Sequence, residues 1–227
     1  NSDTTAYKKE GSTSQSFDSV YGIKINDSSV NYIHQNIGRM SLGVKVGETY
    51  TDYGDGNLEE TEQLYDMALS GKGFFAISYA DRNGNESVRY TRDGNFTVNS
   101  QGVLMTKDGD FVLAEDGGLI NIPEGVKISV DESGRITADG QEIAQLQLVD
   151  FEDYNYLEKF GENMYIAIDG ATTKDAQCKV YQGYLEASNV NVVTEMVDMI
   201  TITRDYESNQ KVIQTIDSTL EKSVALG

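Results

Sequence analysis

The run Gly71-Lys72-Gly73-Phe74-Phe75-Ala76 has the spacing G-x-G-x-x-A, one form of the fingerprint that cradles a dinucleotide pyrophosphate. That chemistry needs a strand before the turn and a helix N-terminus after it, so that backbone N–H groups face the phosphates. Here the turn leads into "FFAISY", which reads as a strand, so no nucleotide site is predicted. The single histidine, His34, sits in "VNYIHQNIG" with neither acid nor nucleophile beside it and reads as an ordinary strand residue. One histidine cannot build a His-rich metal site. Asp81-Arg82-Asn83-Gly84-Asn85 resembles the opening of a calcium loop, but Gly is not at the sixth position, and the twelfth, Arg92, carries the wrong charge. Cys178, the only cysteine, lies in the alternating run "QCKVYQGYLE" and reads as a small buried hydrophobe. Lys179 is the one neighbour that could lower its thiol pKa, and an intrachain disulfide is impossible. Paired carboxylates of a glycosidase would come with aromatic sugar platforms, and Trp is absent. The sequence thus predicts no enzyme, no cofactor, no metal and no small-molecule substrate.

The charge is large and unevenly placed. Of a net -19, residues 1–50 carry five basic and five acidic residues, residues 51–187 carry 10 basic and 26 acidic, and residues 188–227 carry 3 basic and 6 acidic. An acidic middle repels phosphate backbones, so nucleic acid is not expected as a partner. Neutral ends around an acidic middle predict a solvated outer body whose ends pack against something. No run approaches the 18 or so apolar residues of a membrane span, and no membrane insertion is expected.

Three elements must position whatever function there is. Residues 1–54 form an N-terminal connector: 1–20 are Ser/Thr-rich and extended, and "YGIKIN", "SVNYIHQ" and "GVKVGETYT" read as strands of low burial. Residues 55–187 read as an acidic all-β domain of short strands, expected to fold alone. Its punctuation is Asp93-Gly94, Asp108-Gly109, Asp116-Gly117, Ser133-Gly134 and Asp139-Gly140. Asp-Gly suits two-residue hairpin turns, where both central positions need φ > 0.

From residue 188 the grammar changes. Between Val192 and Val224 there is neither Pro nor Gly, and Val192, Met199, Tyr206, Ile213 and Leu220 recur at every seventh position. The intermediate positions Met196, Thr203, Gln210 and Asp217 become polar toward the end. This predicts one long coiled-coil-forming helix over 188–227, with Ser188, Asn189, Val190 and Asn191 as hinge and cap. Asn191 is placed as N-cap, Glu195 and Asp198 lie near the positive helix end, and Lys222 near the negative one. An isolated helix with such a seam is marginal and needs a partner. Folding back on the β domain is the simpler outcome. Assembly with helices of other chains is favoured, because the strands supply their own cores.

Particular segments resemble the signatures of one known family. "YQGYLEASNVNVVTEMVDMI", followed by Arg204, Tyr206 and Glu207, is similar to the family's C-terminal signature. "NSDTTAYKK" resembles its N-x-x-T-x-G-[FY]-K segment through Asn1, Thr4, Tyr7 and Lys8, with Ala6 where the family has Gly. "GNLEETEQLYDMALSGKGFF" resembles its G-x-L-x-x-T-x-x-x-x-D-x-A-I-x-G-x-G-F-F block, with Leu69 for Ile, and "RYTRDGNF" its Y-T-R-x-G-x-F run.

The family these segments resemble is that of the bacterial flagellar rod and hook proteins. The resemblance implies a structural subunit of the flagellar rod in the basal body, exported by the flagellar type III apparatus and spanning the periplasm or cell wall. Its partners would be copies of itself and other rod and hook proteins. It also implies an N-terminal helix before Asn1 that pairs with the C-terminal one, and "VYQGYLEASNVNVV" leans toward the distal rather than the proximal rod type. The competing reading is a secreted, β-rich, adhesin-like binding domain with a helical stalk, which would need an exposed aromatic-lined pocket. A carboxylate-based hydrolase would need two close acids in a cleft.

Overall fold

The computed structural model describes residues 1–24, 35–41, 43–81 and 84–225. His34 lies outside the described residues with 25–33 before it, as do Arg82 and Asn83 of the calcium-like loop. The fold is mainly β with one long C-terminal helix, as the patterning requires, and it divides into two units, Lys8–Gly54 and Asn1–Tyr7 with Asp55–Gly227.

The smaller unit is a β-ribbon. Strand Glu10–Ser16 pairs antiparallel with Val44–Thr51, from Glu10↔Thr51 to Ser16↔Val44, with a bulge between Ser12 and Ser14. Strand Val20–Lys24 pairs likewise with Gln35–Met40. Most side chains of the Glu10–Ser16 and Val44–Thr51 pair are exposed on both faces, which is why the sequence there alternates without an apolar face. Lys8 closes the base from within: it is buried, and its Nζ donates to Gly54 O at 2.8 Å.

In the larger unit every strand pairing is antiparallel, the meander that closely spaced turns produce. Phe74–Ala80 lies in the middle of a nine-stranded sheet, with Glu86–Thr91 on one side and Phe111–Val112 and Leu148–Phe151 on the other. "FFAI" is a continuous apolar run rather than an alternation because both faces of this strand are covered. Phe75 and Ile77 enter the main core with Met67, Leu69, Leu104, Ile120, Ile136 and Val180. On the opposite face, Phe74 sits edge-on to Phe151, Tyr154 and Tyr165, with ring centroids 5.4 to 6.1 Å apart. Cys178 packs against the main core, and burial pushes its thiol pKa up.

The turns follow the Asp-Gly expectation in part. Asp139 and Gly140 both have positive φ, 49° and 79°, and form the two-residue loop that Ala138↔Gln141 pairing demands. At Asp108-Gly109 and Asp116-Gly117 only the glycine is left-handed, because these loops are longer than two residues. Asp93-Gly94 is no hairpin turn. Gly94 O accepts from Met67 N–H at 3.0 Å, and a Cβ on Gly94 would lie 1.5 Å from Met67 O, so this glycine allows two backbones to touch.

Candidate functional site

The chemistry of the larger unit converges on one buried guanidinium. Arg92 follows strand Glu86–Thr91 directly and is 3% exposed, while Glu186, the last residue of strand Tyr184–Glu186, is 0% exposed. Arg92 Nε donates to Glu186 Oε2 at 2.9 Å, and Nη2 donates to Asp55 Oδ1 at 2.8 Å and to Glu186 Oε1 at 3.3 Å. Nη1 donates to Gly71 O at 2.6 Å and to Gly73 O at 2.9 Å. All five N–H donors of the guanidinium are thereby engaged, the condition under which a buried arginine is tolerated.

These bonds explain the G-x-G. The turn between strands Met67–Lys72 and Phe74–Ala80 directs two carbonyl oxygens at a cation, the opposite polarity from a phosphate cradle. Gly71 holds φ at 103°, and a Cβ there would lie 2.7 Å from Gln177 O. Gly56 is needed for a different reason: its N–H donates to Glu186 Oε1 at 2.9 Å, and a Cβ would fall 1.9 Å from Ala187 O.

The N-terminal segment joins the same place. Ala6 is fully buried, and its N–H donates to Glu186 O at 2.7 Å. It holds φ at 54°, the left-handed conformation that a glycine adopts freely and an alanine adopts at a cost of about 1–2 kcal/mol. Asn1 O and Thr4 O accept from Thr4 N–H and Tyr7 N–H, which coils this segment, and Lys159 Nζ lies 4.0 Å above the Tyr7 ring. Lys8 begins the smaller unit.

From Glu186 to the helix the chain is tied at close intervals. Ala187 N–H donates to Asn57 O at 2.8 Å, Asn189 N–H to Tyr7 O at 3.2 Å, and Val190 N–H to Ser188 Oγ at 3.2 Å. Asn191 Oδ1 then accepts from Thr194 N–H at 3.1 Å, satisfying one of the N–H groups left open at a helix start, and Asn191 O accepts the first intrahelical bond from Glu195 N–H at 3.0 Å.

The helix Val192–Ala225 runs for 34 residues. From Val192 to Val224 every residue except Glu195 is exposed, so no helical face is buried against the β strands and the folding-back alternative fails. Val192, Met196, Met199, Tyr206, Ile213 and Leu220 all stand in solvent, Met199 at 65% and Tyr206 at 72% exposure. Ile202 and Ile216 are exposed too and lie three residues after Met199 and Ile213. Heptads alternate steps of three and four, so Ile202 fills the stripe in the proximal half and Ile216 extends it into the distal half, where the four-residue step meets Gln210 and Asp217. Thr201, Thr203 and Thr215 return their hydroxyls to the carbonyls four residues back, so their polar atoms do not compete with the helix.

Sequence reading missed the ionic node. In the sequence Arg92 reads only as a misfit calcium ligand and as part of "RYTR", and nothing marks Asp55 or Glu186. The available signal is slight: an arginine directly after one short strand and a glutamate ending another. Among the described residues no three His, Cys, Asp or Glu side chains are grouped to hold a metal ion. Two open clefts, one between Leu146–Val149 and Thr173–Cys178 and one around Leu119 and Glu142–Gln145, have no aromatic ring in their walls.

Comparison with known proteins gives a consistent result. A family model described as the C-terminal region of flagellar basal-body rod FlgEFG proteins matches residues 181–226. A second, for the D1 domain of flagellar hook protein FlgE/F/G, matches residues 68–138. The flagellar basal-body rod protein FlgG of Buchnera aphidicola (Schizaphis graminum) is 36% identical over 198 residues, covering 81% of this chain and 73% of its own. FlgG of Agrobacterium fabrum is 32% identical over 235 residues, 96% of this chain and 86% of its own. FlgF of Caulobacter vibrioides is 36% identical over 174 residues, 76% of this chain and 68% of its own.

Proposed function

Since the chain belongs to the family of flagellar basal-body rod and hook proteins, we propose that this structural subunit polymerises through the helix Val192–Ala225 into the torque-transmitting rod. The observation that carries the proposal is the stripe Val192, Met199, Tyr206, Ile213 and Leu220, completed by Ile202 and Ile216, exposed along a helix with no cover. Apolar surface at heptad spacing gains most by packing against helices of other copies, and repeated head-to-tail contacts build an open helical array. The acidic β body would stand outside that array, where its charge keeps it solvated. Partners on this reading are further copies and other rod and hook proteins, reached by flagellar type III export into the periplasm and cell wall.

The experiment is Met199→Asp in a complemented strain, followed by motility and by electron microscopy of basal bodies. A carboxylate buried in a packed seam without a partner is strongly disfavoured. Rods should be lost while the β body of the purified protein melts as before. Intact rods with Met199→Asp would overturn the assembly role of the helix.

A further inference from the structure

We propose that Arg92 is the positioning residue that fixes the direction in which the assembly helix leaves the β body. The inference rests on the rod-subunit reading for its purpose but not for its test. Because the helix lies against nothing between Thr194 and Val224 except through the half-buried Glu195, its direction can be set only at its root. The root is Glu186. Its Oε2 takes Arg92 Nε at 2.9 Å, its Oε1 takes Gly56 N–H at 2.9 Å and Arg92 Nη2 at 3.3 Å, and its carbonyl takes Ala6 N–H at 2.7 Å. Glu186 can turn neither its side chain nor its peptide without breaking several of these bonds. Arg92 in turn is held by Asp55 and by the Gly71 and Gly73 carbonyls, so Glu186 is referred to three distant segments of the body at once.

The stiffness continues to the cap. Between Glu186 and Asn191 the chain is tied to other segments at Ala187 and Asn189, and Val190 N–H closes a local turn on Ser188 Oγ, which leaves Val190 alone between the last of these ties and the cap. Length makes this matter. A helix of 34 residues is roughly 50 Å long at 1.5 Å per residue, so a swing of about 10° at its root displaces its tip by about 9 Å. Ile213 and Leu220, about 32 and 42 Å from the root, would shift by about 5–7 Å, most of the roughly 8–10 Å spacing between packed helices, which is enough to unseat the distal seam. A planar fork with five fixed donors is the side chain suited to the task. Lysine keeps the charge but cannot hold four acceptors in one plane.

The test is a distance distribution between spin labels on the monomeric chain, with Cys178→Ala as background and labels at Glu158→Cys on an exposed strand position and Ser208→Cys on the helix. The parent should give one narrow distribution. Arg92→Lys should at least double its width, while Ile136→Ala, which removes core volume on a strand that carries no residue of the node, should lower the melting temperature without broadening. If Arg92→Lys does not fold, Asp55→Asn, at an exposed carboxylate, takes its place with a smaller broadening expected. A broad parent distribution, or a folded Arg92→Lys (or Asp55→Asn in its place) as narrow as the parent, overturns the proposal. The labels read the monomer, so either result leaves the rod-subunit reading standing, whereas normal rods with Met199→Asp would do the reverse.

Discussion

Replacing Arg92 by Met keeps much of the side chain's volume and removes its charge, and the consequence follows from what stays behind. Glu186 remains, fully buried, with Gly56 N–H as its remaining side-chain partner within the node. Gly71 O and Gly73 O lose the donors that the turn was shaped to meet. Removing one partner of a buried ion pair costs about 3–5 kcal/mol, and the two orphaned carbonyls overlap with that figure rather than adding to it in full. For a protein of this size 1 kcal/mol lowers Tm by about 2–4 °C, so Arg92→Met should melt roughly 6–20 °C below the parent. Urea unfolding followed by tyrosine fluorescence is the suitable assay. Of the 14 tyrosines only Tyr206 lies on the helix, so the signal reports the β body. The double variant Arg92→Met with Glu186→Leu should recover at least about 1 kcal/mol relative to the sum of the single changes, because it removes the carboxylate along with the guanidinium it pairs with. A loss below about 1 kcal/mol for Arg92→Met, or strict additivity in the cycle, would refute the view that this pair organises the root of the helix.

Other consequences are smaller or more local. Asn191→Ala should cost the helix about 1 kcal/mol, read as faster amide exchange at Thr194 with the β-body melt unchanged. Gly94→Ala should destabilise the body by about 1–3 kcal/mol or more, since its methyl group would collide with Met67 O, and urea midpoints will measure it. Asp93 accepts from Asn95 N–H and from Asn163 Nδ2, yet burial pushes its pKa from 3.8 up to about 6. The folded state therefore holds this proton more tightly than the unfolded chain, so the stability it contributes is complete below about pH 3.8 and is lost as pH rises through about 6. Asp93→Asn should gain stability relative to the parent between pH 4 and 7, by up to about 3 kcal/mol, and parallel urea titrations at those pH values would show a flat difference if the reasoning fails.

The parts of this protein that were readable in the sequence are those whose cause is local. "FFAISY" announces a strand covered on both faces because burial on two sides leaves no polar alternation. Asp139-Gly140 announces its turn because two adjacent left-handed residues leave few choices. The helix shows itself by a heptad without Gly or Pro, a pattern that needs no knowledge of the rest of the chain. What stayed hidden is what the fold brings together. Arg92 and Glu186 are 94 positions apart, and each reads by itself as one more charge in an acidic block. G-x-G could be denied a nucleotide from the strand that follows it, but its true ligand is an arginine whose approach is set by tertiary packing. Ala6 shows the same limit from the other side. An alanine gives no sign of left-handed backbone, and only where the Ala6 N–H reaches Glu186 O does the reason for that conformation appear. The separate motifs at Gly56, Gly71, Gly73, Arg92 and Glu186 are therefore parts of one object: a carboxylate and a guanidinium held by glycines too small to keep their backbones apart.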